Sequence, residues 1–253
     1  MSQSGGARIM TRARYDAVLF DLDGVITDTA SLHAACWKRT FDEYLRKRAA
    51  RSGGEFRPFD IARDYRLHVD GKPRPDGVRD FLGSRGIRLP EGTPDDPPEA
   101  ETVGGLGNRK NALVGAAIED TGAEPYEGSV RLLHQLRRGG FKVAVVTSSR
   151  NCDAVLRAAG LEALFDVRVD GNTLQAQRLS GKPAPDMFLA AARLLGVDPA
   201  RAVVVEDALS GVQAGSSGRF GLVIGVARKG DAEELRHHGA HVVVHDLAEL
   251  VVG

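Results

Sequence analysis

Short apolar runs rich in β-branched residues recur along the chain, at 17–20 (Ala-Val-Leu-Phe), 143–146 (Val-Ala-Val-Val), 202–205 (Ala-Val-Val-Val), 222–224 and 242–244. Each is nearly unbroken and bounded by charge or glycine, the pattern of strands buried on both faces. Between them, apolar positions recur at helical spacing over 129–138, 152–159, 186–195, 211–217 and 231–237. Alternating strands and helices predict an α/β fold built on a doubly wound, Rossmann-like parallel sheet.

The alternation is interrupted once. Between Phe20 and Val143 the chain reads as helices at 31–50, 61–68, 77–84 and 108–119, separated by loops rich in Gly, Pro and charge. This predicts a core of residues 15–30 and 120–253, with a helical cap domain of residues 31–119 inserted after the first strand. Residues 1–14 read as a flexible tail, and 90–101 as a mobile loop.

Composition narrows the function classes. Of 253 residues, 42% are hydrophobic and 27% charged, ordinary values for a globular protein and too apolar for a disordered one. Lys+Arg and Asp+Glu are 34 each, so the basic excess of a typical nucleic-acid binder is lacking. No polybasic run suits an anionic membrane, and apolar stretches such as 220–227 fall short of the ~18 residues of a membrane span. The polar N-terminus lacks the apolar core of a secretory signal. Cys36 and Cys152 belong to no CxxC or Cys/His zinc pattern, which favours a reduced cytoplasmic protein. A monomer is expected.

In open α/β sheets, ligands bind outside the carboxyl ends of the strands, so the residues leaving each strand are the candidates for chemistry. The first strand leaves through Asp21-Leu-Asp-Gly24. An aspartate there can attack phosphorus, and a second carboxyl two residues on can act as acid and base, although a polar loop reads the same way. The second leaves through Thr147-Ser-Ser149, hydroxyls that suit a phosphate oxygen or simply cap a helix. Lys182, between Gly181 and Pro183, is a cation at a predicted helix start, where the dipole disfavours it unless it serves a site. The strand at 202–205 leaves through Glu206-Asp207, two carboxylates that suit Mg²⁺ or form an acidic turn. Each signal is modest alone. Together, at one predicted sheet edge, they supply the parts of metal-assisted phosphoryl transfer.

These segments resemble the haloacid dehalogenase superfamily, and within it the β-phosphoglucomutase group. Phe20-Asp-Leu-Asp-Gly-Val-Ile-Thr-Asp-Thr29 is similar to its first motif, Thr147 to its second, Gly181-Lys-Pro-Ala-Pro-Asp186 to its third and Glu206-Asp207 to its fourth. The resemblance implies Asp21 as nucleophile and Asp23 as general acid/base. It implies Mg²⁺ held by the Asp21 carboxylate, the Asp23 carbonyl and Asp207, with Glu206 close by. Thr147, Ser148 and Lys182 would hold the transferring phosphoryl group, with Ser149 near it. In the cap, it implies substrate contacts from His33, Trp37, Arg74, Lys110 and Asn111. His33 and Trp37, four apart on one helix face, equally suit core packing, and Arg74 equally suits a solvated loop. The middle of the cap looks longer than the compact mutase pattern.

The implied activity is conversion of β-glucose 1-phosphate to glucose 6-phosphate through the 1,6-bisphosphate. The alternative is a Mg²⁺-dependent phosphatase of a sugar or other small phosphate; a non-catalytic protein on the same fold would be expected to lose Asp21, Asp23 or Lys182. Two further signals are discounted. Gly104-Gly-Leu-Gly107 lacks a preceding strand and the full dinucleotide spacing, so it reads as a loop entering a helix. His237, His238, His241 and His245 do not share a face.

Overall fold

The computed structural model describes residues 9–228 and 230–252. The chain divides into two units: one runs to Asp28 and resumes at Ala123, and the other is Thr29–Gly122. The second is wider at both ends than the expected 31–119. Among the described residues no helix is long and apolar enough to cross a membrane.

The first unit is built on six parallel strands: β1 (Ala17–Phe20), β2 (Lys142–Val146), β3 (Val167–Val169), β4 (Ala202–Glu206), β5 (Leu222–Val226) and β6 (Val242–Val244). Their order is β3-β2-β1-β4-β5-β6. The chain steps outward from β1 to β3, then returns to lay β4 on the other side of β1. In register, Phe20 lies between Val145 and Val205. Order therefore reverses between β1 and β4, and the crevice at their carboxyl ends is where this sheet type binds ligands. β1 and β4 are buried along their whole length, as their unbroken apolar sequences require.

The second unit contains α1 (Ala30–Ser52), a π-helical segment at Ile61–Val69, α2 (Arg74–Ser84) and α3 (Val103–Thr121). Its core is aromatic. Phe41 stacks on Trp37 at 4.9 Å between ring centres and lies 4.3 Å from Phe81, which meets Phe59 edge-on at 4.8 Å. Buried Asp42 is satisfied by the Phe59 amide at 2.7 Å and by Lys38 at 3.0 Å.

Helices α4 (Glu127–Arg138), α5 (Cys152–Ala158), α6 (Gly171–Gln177), α7 (Asp186–Leu195), α8 (Leu209–Ser217) and α9 (Ala232–His237) connect the strands. In α7, Met187, Phe188, Ala191 and Leu195 face the sheet core, and Gly196 at φ 64° ends the helix.

Four readings of the chain need correction. β3 and α6 were not anticipated. β3 is a three-residue edge strand, and α6 has no apolar stripe; Asp170 starts it by accepting from the amides of Asn172 and Thr173. Of the expected tail, residues 1–8 lie outside the described residues, but residues 9–14 include bonded turns. Arg12 and Arg201 both bind Asp16, and the Tyr15 amide reaches the Thr11 carbonyl at 2.9 Å. The 90–101 loop is fastened: Asp96 accepts from Thr93 and Thr102 at 2.7 and 2.5 Å, and Asn108 donates to the carbonyls of Pro94 and Asp96. Finally, Gly104, Gly105 and Gly107 lie inside α3, not before it. A Cβ on Gly104 would sit 2.2 Å from the Thr93 carbonyl oxygen and one on Gly105 2.3 Å from that of Ala100, so the fastened loop demands glycine there.

Candidate active site

Three strand ends deliver the core residues. Asp21 follows β1 directly and is buried; its amide donates to the Val205 carbonyl at 2.9 Å, tying it to β4. Glu206 ends β4 and is also buried, with Asp207 next in the chain. Oxygens of Asp21, Glu206 and Asp207 lie within 4.8 Å of one another. Lys182 is delivered between α6 and α7, with a cis peptide to Pro183. Its ammonium donates to Asp21 Oδ1 at 2.5 Å, Glu206 Oε1 at 2.5 Å and the Val146 carbonyl at 3.1 Å.

The turn after β1 is shaped for this cluster. Gly24 has φ +94°, and a Cβ there would lie 2.1 Å from Asp207 Oδ2. Only glycine both adopts that angle cheaply and lets Asp207 in. Asp23, half-buried, accepts from Thr147 Oγ1 at 3.2 Å. Thr147 Oγ1 also accepts from the Ser149 amide at 3.1 Å, and Ser149 Oγ from the Asn151 amide at 3.2 Å. The two hydroxyls thus order the loop ahead of α5 without capping it, since the N-cap is Asn151 and takes no side-chain cap bond, while Ser148 Oγ lies 3.9 Å from Met187 Sδ.

Electrostatics follow from burial. Burial raises the Asp21 carboxyl well above its ordinary value; Lys182 pulls the other way, and Glu206 and Asp23 add to the rise. Burial disfavours the Lys182 ammonium, but Asp21 and Glu206 outweigh it and hold the lysine above its ordinary value. Three buried carboxyl groups with oxygens this close together are a donor set that fits a hard divalent cation. Glu206 is partly committed, since Oε1 takes Lys182 and Oε2 the Ala208 amide at 2.9 Å.

In the helical unit, His33 Nδ1 lies 3.0 Å from Lys110 Nζ, and that ammonium lies 5.3 Å from the Trp37 ring centre. All three are buried. Trp37 also belongs to the aromatic core, so its packing role holds whatever else it does. Arg74 Nη1 donates to the Gly107 carbonyl at 3.0 Å, one turn before Lys110 and Asn111 on α3. The unit therefore brings His33, Trp37 and Lys110 together and ties Arg74 to the same helix.

Sequence reasoning missed the residues that hold the turn after β1. Ser129 Oγ donates to the Val25 carbonyl at 2.6 Å, and Arg228 Nε to the Gly24 carbonyl at 2.8 Å. Arg228 comes two residues after β5, at the same sheet edge; reading the exit of that strand as well would have found it.

A profile of haloacid dehalogenase-like hydrolases matches residues 15–218. A β-phosphoglucomutase of Mycobacterium bovis is 56% identical over 238 residues, spanning 93% of this chain and 91% of its own. A β-phosphoglucomutase of Bacillus subtilis is 33% identical over 237 residues, spanning 93% and 92%. The crystal structure of a β-phosphoglucomutase from Clostridium difficile matches with a TM-score of 0.72 at 25% identity, covering 93% of each chain.

Proposed function

The chain belongs to the haloacid dehalogenase-like hydrolases, and from that premise we propose that it is a β-phosphoglucomutase, converting β-glucose 1-phosphate to glucose 6-phosphate. The observation that carries this reading is the buried cluster of Asp21, Lys182, Glu206 and Asp207 at the β1/β4 switch point, in a chain 56% identical to a mycobacterial enzyme of that name.

On this reading the phosphorylated Asp21 carboxylate donates its phosphoryl group to the C6 hydroxyl of β-glucose 1-phosphate. Asp23 takes the proton that the hydroxyl loses, and the P–O bond to Asp21 breaks. The 1,6-bisphosphate reorients. Asp21 then attacks the C1 phosphoryl group, Asp23 returns the proton to the departing C1 oxygen, and glucose 6-phosphate leaves with Asp21 phosphorylated again. Thr147, Ser148, Ser149 and Lys182 hold the phosphoryl oxygens, and Lys182 offsets their charge.

Asp21, Asp207 and the Asp23 carbonyl would hold Mg²⁺, with Glu206 beside them. When bound, the ion neutralises charge on the transferring group. In the helical unit, a cap on this reading, Arg74 takes the phosphate not undergoing transfer, for which a planar guanidinium is best shaped. His33, Trp37, Lys110 and Asn111 contact the sugar and its phosphates. The substrate is a small sugar phosphate and the setting the cytoplasm.

A coupled assay tests the proposal. With Mg²⁺ and a bisphosphate primer, glucose 6-phosphate is expected from the β-anomer of glucose 1-phosphate. Its absence overturns the mutase, and inorganic phosphate released faster than isomer forms would make the protein a phosphatase.

A further inference from the structure

We propose that Arg228 is a positioning residue for phosphoryl transfer, a clamp that holds the turn after the nucleophile so that Asp23 stands in place for its proton transfers. The inference rests on the roles given above to Asp21 and Asp23.

The turn Asp21-Leu-Asp-Gly-Val25 has a weak point. Gly24 is at φ +94°, a conformation for which glycine is suited because it has no side chain; its amide is bonded locally, to the Thr27 carbonyl at 2.8 Å, but its carbonyl points to a partner outside the turn. The next two peptide groups, whose carbonyls belong to Gly24 and Val25, are held from outside the turn. Arg228 holds them with its whole guanidinium group. Nε donates to the Gly24 carbonyl at 2.8 Å, and Nη2 lies 3.5 Å from the Val25 carbonyl. Ser129 secures the same Val25 carbonyl at 2.6 Å.

The arginine is itself anchored on two further sides. Nη1 donates to Asp246 Oδ2 at 2.9 Å, while Asp246 Oδ1 is fixed by the Ala248 amide at 2.7 Å within a capping box. The guanidinium plane lies 3.5 Å from the centre of the Tyr126 ring, whose hydroxyl donates to Asp28 Oδ1 at 2.7 Å. Tyr126 is bound in turn through its amide to the Ile26 carbonyl at 2.9 Å. The side chain is only 14% exposed. Two carbonyls, a carboxylate and an aromatic face demand a flat, multiply donating cation. Lysine, a single point of charge on a flexible stem, cannot meet them together.

No atom of this network other than the turn itself belongs to the reacting groups, so its effect should fall on turnover and not on substrate affinity. Arg228→Ala and Arg228→Lys are compared with the unaltered protein in two measurements. In hydrogen exchange of the metal-free protein, amides of residues 21–28 are expected to exchange about tenfold faster or more in Arg228→Ala, with the sheet unchanged. In steady-state kinetics, kcat is expected to fall about 10- to 100-fold with KM within about twofold, and Arg228→Lys to recover part of the loss.

An unchanged kcat overturns the proposal, as does unchanged exchange over 21–28, or a rise in KM at constant kcat. Should Arg228→Ala fail to fold, Arg228→Lys decides by the same readouts, with kcat expected to fall about three- to tenfold. Exchange does not depend on the assigned reaction. Faster exchange in the variant, with an unaltered protein inactive on sugar phosphate, would overturn the functional reading and keep the clamp. An active protein with unmoved exchange does the reverse.

Discussion

Lys182 Nζ lies 2.5 Å from Glu206 Oε1, and neither side chain has any exposed surface. The carboxylate is locked from behind, since a Cβ on Gly211 would sit 1.8 Å from Glu206 Oε1. Glu206 thus works mainly by holding the lysine. Truncating one partner of a buried ion pair leaves the other charge uncompensated, which costs about 3–5 kcal/mol. Glu206→Ala is expected at the lower end of that range, because Lys182 keeps Asp21 and the Val146 carbonyl. Urea denaturation of the metal-free protein checks the loss, and Glu206→Gln, which keeps the shape, should lose less.

Gly24→Ala isolates the geometry of the metal cluster. A non-glycine residue at positive φ costs about 1–3 kcal/mol, and its Cβ would lie 2.1 Å from Asp207 Oδ2. Asp207 must then shift. Mg²⁺ affinity is expected to fall by about 10- to 100-fold, as when a metal's supporting contacts are lost, read by titration calorimetry. Gly115→Ala is the control. It lies in α3 with nothing within 4 Å of its added carbon, and it should stabilise by up to about 1 kcal/mol.

What the chain reveals in advance divides along physical lines. β1, β2 and β4 are legible because strands buried on both faces must be apolar throughout, and the residues after them are legible because strand ends are where this fold keeps its chemistry. β3 is half-buried, with Arg168 between two valines and bound to Asp153, so its pattern carries no signal. The Arg228 network is invisible for a different reason. It joins a main-chain carbonyl at 24, an aromatic face at 126 and a carboxylate at 246 to one guanidinium at 228, residues far apart in the chain with no spacing that links them.

The oxygen donors gathered by Asp21, Glu206 and Asp207 make a stability prediction. A cation bound to the native state alone stabilises by RT ln(1 + [L]/Kd), about 2.7 kcal/mol at a hundredfold excess over Kd. Mg²⁺ is expected to raise the melting temperature saturably, chelation to reverse the rise, and Asp207→Asn to weaken it strongly. A melting temperature indifferent to Mg²⁺ would remove the cation from the proposed site.

Arg74 separates sugar-phosphate recognition from the chemistry. Its guanidinium donates to the Gly107 carbonyl, within the helical unit and apart in sequence from the four segments that carry the chemistry. A hydrogen bond to a charged group contributes about 1.5–3 kcal/mol, so Arg74→Ala should raise KM for β-glucose 1-phosphate about 10- to 100-fold. Hydrolysis of an aryl phosphate, which has no second phosphate to grip, should stay within about twofold. Equal losses on both substrates would show that Arg74 supports the fold of its unit.

The 90–101 loop was expected to move because proline, glycine and charge offer no core to pack. One carboxylate ties it down instead. Asp96 takes Thr93 and Thr102 on its two oxygens, and a Cβ on Gly92 would stand 2.0 Å from Oδ2. The Thr102 hydroxyl, then that of Thr93, lowers the Asp96 carboxyl below its ordinary value. A carboxyl lowered on folding favours the fastened loop above the unfolded-chain value of about 3.9 and loses that effect as pH falls through the lower folded value. Exchange of the 90–101 amides, corrected for intrinsic rates, should therefore be flat from neutral pH down to about pH 4 and then rise. Asp96→Ala should show the raised exchange at every pH, with the denaturant midpoint of the whole protein little changed because the site is at the surface.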